Sequence, residues 1–493
     1  MFRLFYKILK RFFWIVVGVS FVVALYNVFK PLPVGLHYEG EPRVVDDGDI
    51  SFFADTTFVD SSGTRHSDQH IFDEVFSMIK NAREYILIDA FLYNAYQGAS
   101  PETTRALSGE LTTLLLQKKK ALPDIAITVI TDPINEVYGG EISEQFEQLR
   151  VAGINVVTTD LTKLRDSNPL YSGFWRTTIW WFGNSSEGGS LPHPFQSGGK
   201  KISVRSWLTL FNFKANHRKL VVADGGAPSS KEFSTLIMSA NPHDGSSAHG
   251  NIAIKVSGDF YRDVVSSESS VASFSGNTLP ALSTTSTSRA GTGETTVQLL
   301  TEGAIQDHFL ETLKKLGSGD RVDMAMFYLS ERSIVNELIR AAKRGVSIRL
   351  VLDPNKDAFG HKKNGVPNRP VADELVSESE KPSVPIQIRW CDTHGEQCHA
   401  KLTLIEHHGG YEMIGGSANL TRRNIADYNL ETNIAVESTE KIKAIADAYD
   451  YFETIWNNRG GAVYTADYSH YEDDAFYKKV MYRVMEFTGL SSF

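Results

Sequence analysis

A chain of 493 residues, 42% hydrophobic and 22% charged, has enough apolar side chain to bury more than one core and is expected to be globular, with two or three domains. Fifty Lys and Arg against 59 Asp and Glu leave a formal charge of −9. That balance excludes a general attraction to a polyanion such as duplex DNA and leaves room only for a local basic pocket.

The chain begins with Arg3, Lys7, Lys10 and Arg11, followed by residues 12–29, FFWIVVGVSFVVALYNVF, with no formal charge. This length just spans a bilayer as a helix. Glu39, Glu41, Asp46, Asp47 and Asp49 come next, so the positive-inside rule predicts a cytoplasmic N-terminus and a body outside the cytoplasm, periplasmic or lumenal. A cleavable signal peptide is the competing reading, but no clear A-x-A-like site follows the apolar run. Residues 1–40 are therefore expected to be a basic start and retained anchor.

Three strand-like apolar runs then occur twice in the same order: 84–93 with 321–330, 125–133 with 346–354, and 153–161 with 384–392. The second pair ends in Asp-Pro in both copies. Helical patterns at 103–121 and 331–345 separate the first two runs of each half, which predicts duplicated α/β domains with largely parallel buried sheets. The expected boundaries are 41–265 for the first repeat, with an aromatic insertion at 163–211, and 297–460 for the second. Residues 266–296, rich in Ser and Thr, read as a linker, and 461–493 as a tail with a helix over 473–490.

The repeat is most informative at NHRKLVVAD (216–224) and CHAKLTLIE (398–406), which place His217, Lys219 and Asp224 against His399, Lys401 and Glu406. Each is trailed by Ser-Ala-Asn, giving Ser239 and Asn241 in one copy and Ser417 and Asn419 in the other. One His-x-Lys strand would usually hold a structural histidine, whereas two corresponding copies are hard to explain as packing. If the halves meet about a pseudo-twofold axis, the lysines neutralise non-bridging phosphate oxygens and the asparagines donate to the charge that builds in a pentacoordinate transition state. One histidine attacks phosphorus while the other protonates the leaving oxygen, and no metal or cofactor is required.

The paired H-x-K-x(4)-D/E and S-x-N elements resemble the phospholipase D superfamily over roughly residues 70–455. The resemblance implies two α/β/α sandwich halves and phosphodiester hydrolysis or transfer through a phosphohistidine, with Ser239, Ser417, Asn241, Asn419, Lys219 and Lys401 around the phosphate. It puts the nucleophile on His217 and the general acid on His399, with the reverse also open. By the same resemblance Asp224 and Glu406 complete the motifs and count with the catalytic set, the Glu406 carboxylate reading as structural support for its strand; a similar Glu-ended second motif occurs in lysosomal five-prime exonucleases of the superfamily. NLETNIAV (429–436) resembles the segment whose acid orients a histidine, pointing to Glu431, with His249 as its apparent counterpart in AHGNIAI (248–254).

The leading expectation is a phospholipase D-like or cardiolipin-synthase-like enzyme acting on a membrane glycerophospholipid; a membrane-tethered single-strand nuclease and an inactive binding scaffold are the alternatives. Trp175, Trp180, Trp181 and Phe182 suit either bilayer contact through 174–182 or packing beside the site. A disulfide between Cys391 and Cys398 is expected in an oxidising compartment. Adding His394 and His399 to the cysteines as metal ligands is the weaker reading, since His399 has the catalytic use. Oligomeric state is left open, because the duplicated halves can complete a site within one chain.

Overall fold

Runs such as Ile86-Leu87-Ile88 and Leu350-Val351-Leu352 offer apolar side chains to both faces, which suits strands covered on both sides. The computed structural model describes residues 2–225, 232–282, 291, 293–358, 360–381 and 384–491. The first part of the chain forms β1 (Arg43–Val44), β2 (Ile50–Val59), β3 (Arg65–Asp68), β4 (Tyr85–Ala90), β5 (Ala126–Thr131), β6 (Asn155–Thr158), β7 (Lys219–Asp224), β8 (Phe233–Met238) and β9 (Asn251–Ser257). The rest forms β10 (Thr296–Thr301), β11 (Arg321–Met326), β12 (Ser347–Leu352), the small hairpin β13 (Asp357–Ala358) and β14 (His361–Lys362), β15 (Ile386–Cys391), β16 (Lys401–His407), β17 (Gly410–Gly416), β18 (Thr432–Ser438) and β19 (Thr465–Asp467).

Two large sheets result, in the orders β3-β2-β9-β8-β7-β4-β5-β6 and β1-β10-β18-β17-β16-β11-β12-β15-β19. The series β2-β9-β8-β7-β4-β5-β6 is repeated by β10-β18-β17-β16-β11-β12-β15, so the duplication covers seven strands per half. Only β4-β5-β6 and β11-β12-β15 run parallel, and the other pairings of each sheet are antiparallel. This corrects the expectation of largely parallel sheets. The crossover helices enforce parallel pairing on one side of β4 and β11, while short connections return the chain antiparallel on the other.

Strand alternation divides the side chains between two layers. Leu220 and Val222 of β7 share a core with Leu402 and Leu404 of β16, whereas Val221 and Ala223 face the first half's helices, Ile71–Asn81 and Leu107–Ala121. The sheets approach closely enough that a side chain at Gly415 would meet Ile252 and Ile254. Helices Tyr261–Phe274 and Lys443–Asn457 add to this shared core.

Three segments depart from their sequence reading. Helix Tyr261–Phe274 runs into the expected linker and buries Val271 and Ala272 there; residues 283–290 and 292 of that linker lie outside the described residues. The tail contributes β19 to the edge of the second sheet, as well as the helix Phe476–Thr488. In the insertion, helix Pro169–Thr178 packs on the N-terminal helix Phe2–Phe29, with Gly173 against the Ser20 carbonyl and Ala24. Small residues at that crossing let the two backbones approach. Helix Phe2–Phe29, of mean hydropathy 2.2 over its apolar window, is long and apolar enough to cross a membrane.

Candidate active site

The segments that lead into β7 and β16 pair with the opposite half. His217 N–H donates to the Leu430 carbonyl and Leu430 N–H to Ala215, while His399 N–H donates to Gly250 and Gly250 N–H to Gln397. These reciprocal bonds are the backbone form of the pseudo-twofold relation. The doubled Asp-Pro elements anchor the same segments: Asp132 accepts Asn216 N–H at 2.7 Å and Asp353 accepts Cys398 N–H at 2.8 Å. Each histidine is thus held through the residue before it by the carboxylate that follows β5 or β12, the next strand but one, and by backbone from the other half.

The side chains repeat the symmetry. Lys219 Nζ donates to the His217 carbonyl at 2.6 Å and Lys401 Nζ to that of His399 at 2.7 Å. Both ammoniums lie 5.0 Å from an aromatic centroid, Phe91 in one half and Phe327 in the other. The same rings pack on His217 and His399, with centroid separations of 4.6 and 4.9 Å. Both histidines, Asn241 and Asn419 line a single cavity of ≈ 430 Å³.

The symmetry breaks at the histidines' second nitrogen. His217 Nδ1 lies 2.8 Å from Glu431 Oε1, and His399 Nδ1 lies 3.1 Å from Asn251 Oδ1. Ser417 Oγ donates to Glu431 and accepts Thr432 N–H, just as Ser239 Oγ donates to Asn251 and accepts Ile252 N–H. Asn251, not His249, is therefore the counterpart of Glu431. The sequence match NIA misleads by two residues, an offset that preserves strand-face alternation. His249 instead accepts Gln397 N–H and packs near His399, with ring centroids 5.9 Å apart.

Burial dominates the electrostatics and drives every group toward its neutral form. It raises Glu431 to about 8 against the pull of Lys219, and lowers Lys219 to about 7. Lys401 falls well below its ordinary value through burial and the neighbouring Lys219. Burial, reinforced by the lysines, also takes both imidazoles well below the usual range. Asn419 Oδ1 is buried with no hydrogen-bond partner among the described residues. Dry cations around an open cavity would be relieved by a bound anion, which lets lysines and imidazoles hold their protons.

Residues 311–456, within the second half, match the family model described as cardiolipin synthase, PLD-like domain. The second half thus carries a phospholipase D-like domain. Among curated proteins none matches the sequence. Phosphatidylserine synthase from Haemophilus influenzae Rd KW20 aligns over 91% of this chain and 95% of its own, at 9% identity and a TM-score of 0.55, a likeness of fold. Nuc, a phospholipase D family member from Salmonella typhimurium, covers 36% of this chain and 99% of its own, at 18% identity and a TM-score of 0.27.

Several residues expected in the site stand apart from the cavity. Asp224 accepts backbone N–H groups from Arg83, Glu84 and Tyr85 at the start of β4, and Glu406 sits at the matching far end of β16, in register with Arg321. Both stand five residues along the strand from the motif lysine, too far to touch a substrate on the histidines. Ser239 and Ser417 lie behind the histidines, occupied with Asn251 and Glu431 rather than facing phosphate. The lysines, too, are buried beneath their aromatic rings and are not among the residues lining the cavity. Cys391 and Cys398 form a disulfide. The aromatic insertion divides: Trp175 is 5% exposed and Trp181 77%. Sequence reasoning missed Asp132, Asp353, Phe91, Phe327 and Asn251; the doubled Asp-Pro and the Phe after each first strand were the available signals.

Proposed function

We propose that the protein is a membrane-anchored phosphodiesterase or phosphatidyltransferase that cleaves or exchanges the headgroup of a glycerophospholipid through a phosphohistidine. The observation that carries this reading is the unequal pair of histidines on one cavity, His217 backed by a carboxylate and His399 by an amide. With Glu431 ionised, His217 Nδ1–H donates to it and Nε2 keeps a free lone pair. That nitrogen attacks phosphorus, a P–N bond forms, and the bond to the leaving oxygen breaks as His399 Nε2–H gives that oxygen its proton. His399 then takes a proton from water or an alcohol, whose oxygen attacks phosphorus and breaks the P–N bond. Glu431 steadies the positive charge that His217 carries as a phosphoimidazolium, a service the Asn251 amide performs poorly for His399. Lys219 and Lys401 supply the positive potential for the phosphate, and the step calls for no metal.

A lipid substrate is supported by the surroundings. Leu210, Phe213, Phe195 and Tyr328 wall the cavity, matching a substrate with an apolar body. Helix Phe476–Thr488 exposes Phe476, Val480, Val484 and Phe487 at helical spacing, and its end abuts Ser167 beside the insertion helix that packs on the anchor. The disulfide and the basic residues before the apolar run support a body outside the cytoplasm.

The test offers protein in detergent with EDTA three substrates: phosphatidylglycerol, phosphatidylethanolamine and a five-prime-hydroxyl single-stranded oligonucleotide. Headgroup release or cardiolipin formation without shortening of the oligonucleotide is expected. Oligonucleotide degradation alone would reject the lipid reading in favour of a tethered nuclease, and no turnover of any substrate would leave a binding scaffold.

A further inference from the structure

A second cavity, of ≈ 420 Å³, lies between the aromatic insertion and the body of the first half. It shares Tyr138 and Lys214 with the catalytic cavity, so the two are separated by little more than these side chains. Tyr138 is set there by unusual backbone, since Val137 and Tyr138 follow one another in the left-handed region, at φ 45 and 54. The far wall is Trp175 and Trp180, and Trp175 belongs to the helix that packs on the anchor.

The charges of this cavity do not cancel. Arg176 and Lys214 both pair with the buried Asp166, at 2.8 and 2.6 Å, and the Asp160 carboxylate accepts from Thr162. Arg205 is the remaining cation. Its guanidinium lies 4.5 Å over the Trp175 ring and donates to the Phe182 carbonyl at 3.2 Å and to Thr209 Oγ1 at 2.5 Å. Among the described residues no carboxylate pairs with it, and burial lowers its pKa against only the pull of the Tyr171 phenol. Among the described residues the buried Trp175 indole N–H also has no hydrogen-bond partner. A half-buried guanidinium and an unused buried N–H on one wall are donors in want of an acceptor.

We propose that this second cavity binds the phosphate of a second, anionic glycerophospholipid, with Arg205 on the phosphate and the Trp175–Trp180 wall against its apolar part. The proposal rests on the lipid reading of the catalytic site and extends it to a molecule held one side chain away. A lipid parked there would present its headgroup beside Tyr138, where an acceptor hydroxyl would have to wait.

The experiment uses the full chain in non-ionic detergent and measures quenching of tryptophan fluorescence by phosphatidylglycerol with brominated acyl chains. Saturable quenching that brominated phosphatidylcholine does not reproduce is expected, with half-saturation raised about tenfold in Arg205→Gln and largely restored in Arg205→Lys. Trp175→Phe, which keeps a ring and removes the N–H, should weaken binding in the same direction in native mass spectrometry of retained lipid. Equal quenching by phosphatidylcholine, or half-saturation in a folded Arg205→Gln within twofold of wild type, overturns the proposal. Displacement of the lipid by millimolar inorganic phosphate would mean a free-phosphate site and overturns it equally. Turnover of a soluble aryl phosphodiester by the same wild-type preparation reports on the catalytic cavity separately, so its failure counts against the proposed reaction and not against this site.

Discussion

Replacing Glu431 with Gln removes one charge from the site while nearly preserving size; the Gln carbonyl can keep Asn424 and His217, and its NH2 turns toward Ser417 Oγ, which then accepts. The carboxylate is fully buried, 2.8 Å from His217 Nδ1, and is also bonded by Ser417 and Asn424. As His217 becomes a phosphoimidazolium, a charge centre roughly 4 Å from the carboxylate gains about 4 kcal/mol at an effective dielectric constant of about 20. The amide forfeits most of that, so kcat should fall by about 10³. Hydrogen-bond geometry survives, because the Gln carbonyl still accepts Nδ1–H. The pH dependence should change as well. Glu431, raised to about 8, must lose its proton before His217 Nδ1–H can donate to it, so wild-type kcat/KM should rise with pH toward that value. In Glu431→Gln this rise should vanish. Single-turnover kinetics on a soluble aryl phosphodiester, measured across pH, provide the assay. A variant within threefold of wild type, or one that keeps the same ascending limb, would refute the role given to Glu431.

Asp224→Ala should lower stability rather than chemistry: three backbone N–H groups lose a charged acceptor, costing about 2–4 kcal/mol, seen as a lower apparent Tm with kcat per folded molecule retained. Glu406→Ala, at the corresponding position, should change apparent Tm much less; equal losses would contradict the distinction. Gly173→Leu places a Cβ 2.4 Å from the Ser20 carbonyl and should pry the insertion helix from the anchor at a cost of about 1–3 kcal/mol. Protease cleavage within the insertion should then quicken, and turnover of bilayer lipid should fall more than turnover of a soluble diester.

The doubled His-x-Lys pairs, whose histidines meet at one cavity, were legible in the sequence because His-x-Lys on a strand fixes both spacing and face, and its repetition tied the two halves together. Handedness within the site was not. Which histidine Glu431 serves depends on the bonds between residues 215–217 and 430 across the two halves, which no local pattern encodes. The mistaken pairing of Glu431 with His249 has the same root: a strand shifted by two residues looks unchanged in its alternation. Parallel runs were legible as apolar stretches, yet the antiparallel half of each sheet was not, since β7–β9 and β16–β18 are as continuously buried as the parallel strands. The aromatic insertion stood out by composition, but its division into a buried Trp175 and an exposed Trp181 follows from docking on the anchor helix.

The most direct test of the account removes the second-step base and looks for the covalent species. His399→Asn, quenched rapidly in acid-free denaturant after mixing with an activated aryl phosphodiester, should carry the phosphoryl group on the peptide containing His217, found by mass spectrometry. An adduct on no histidine, together with substantial turnover in both His217→Ala and His399→Asn, would contradict a shared phosphorus between the two halves.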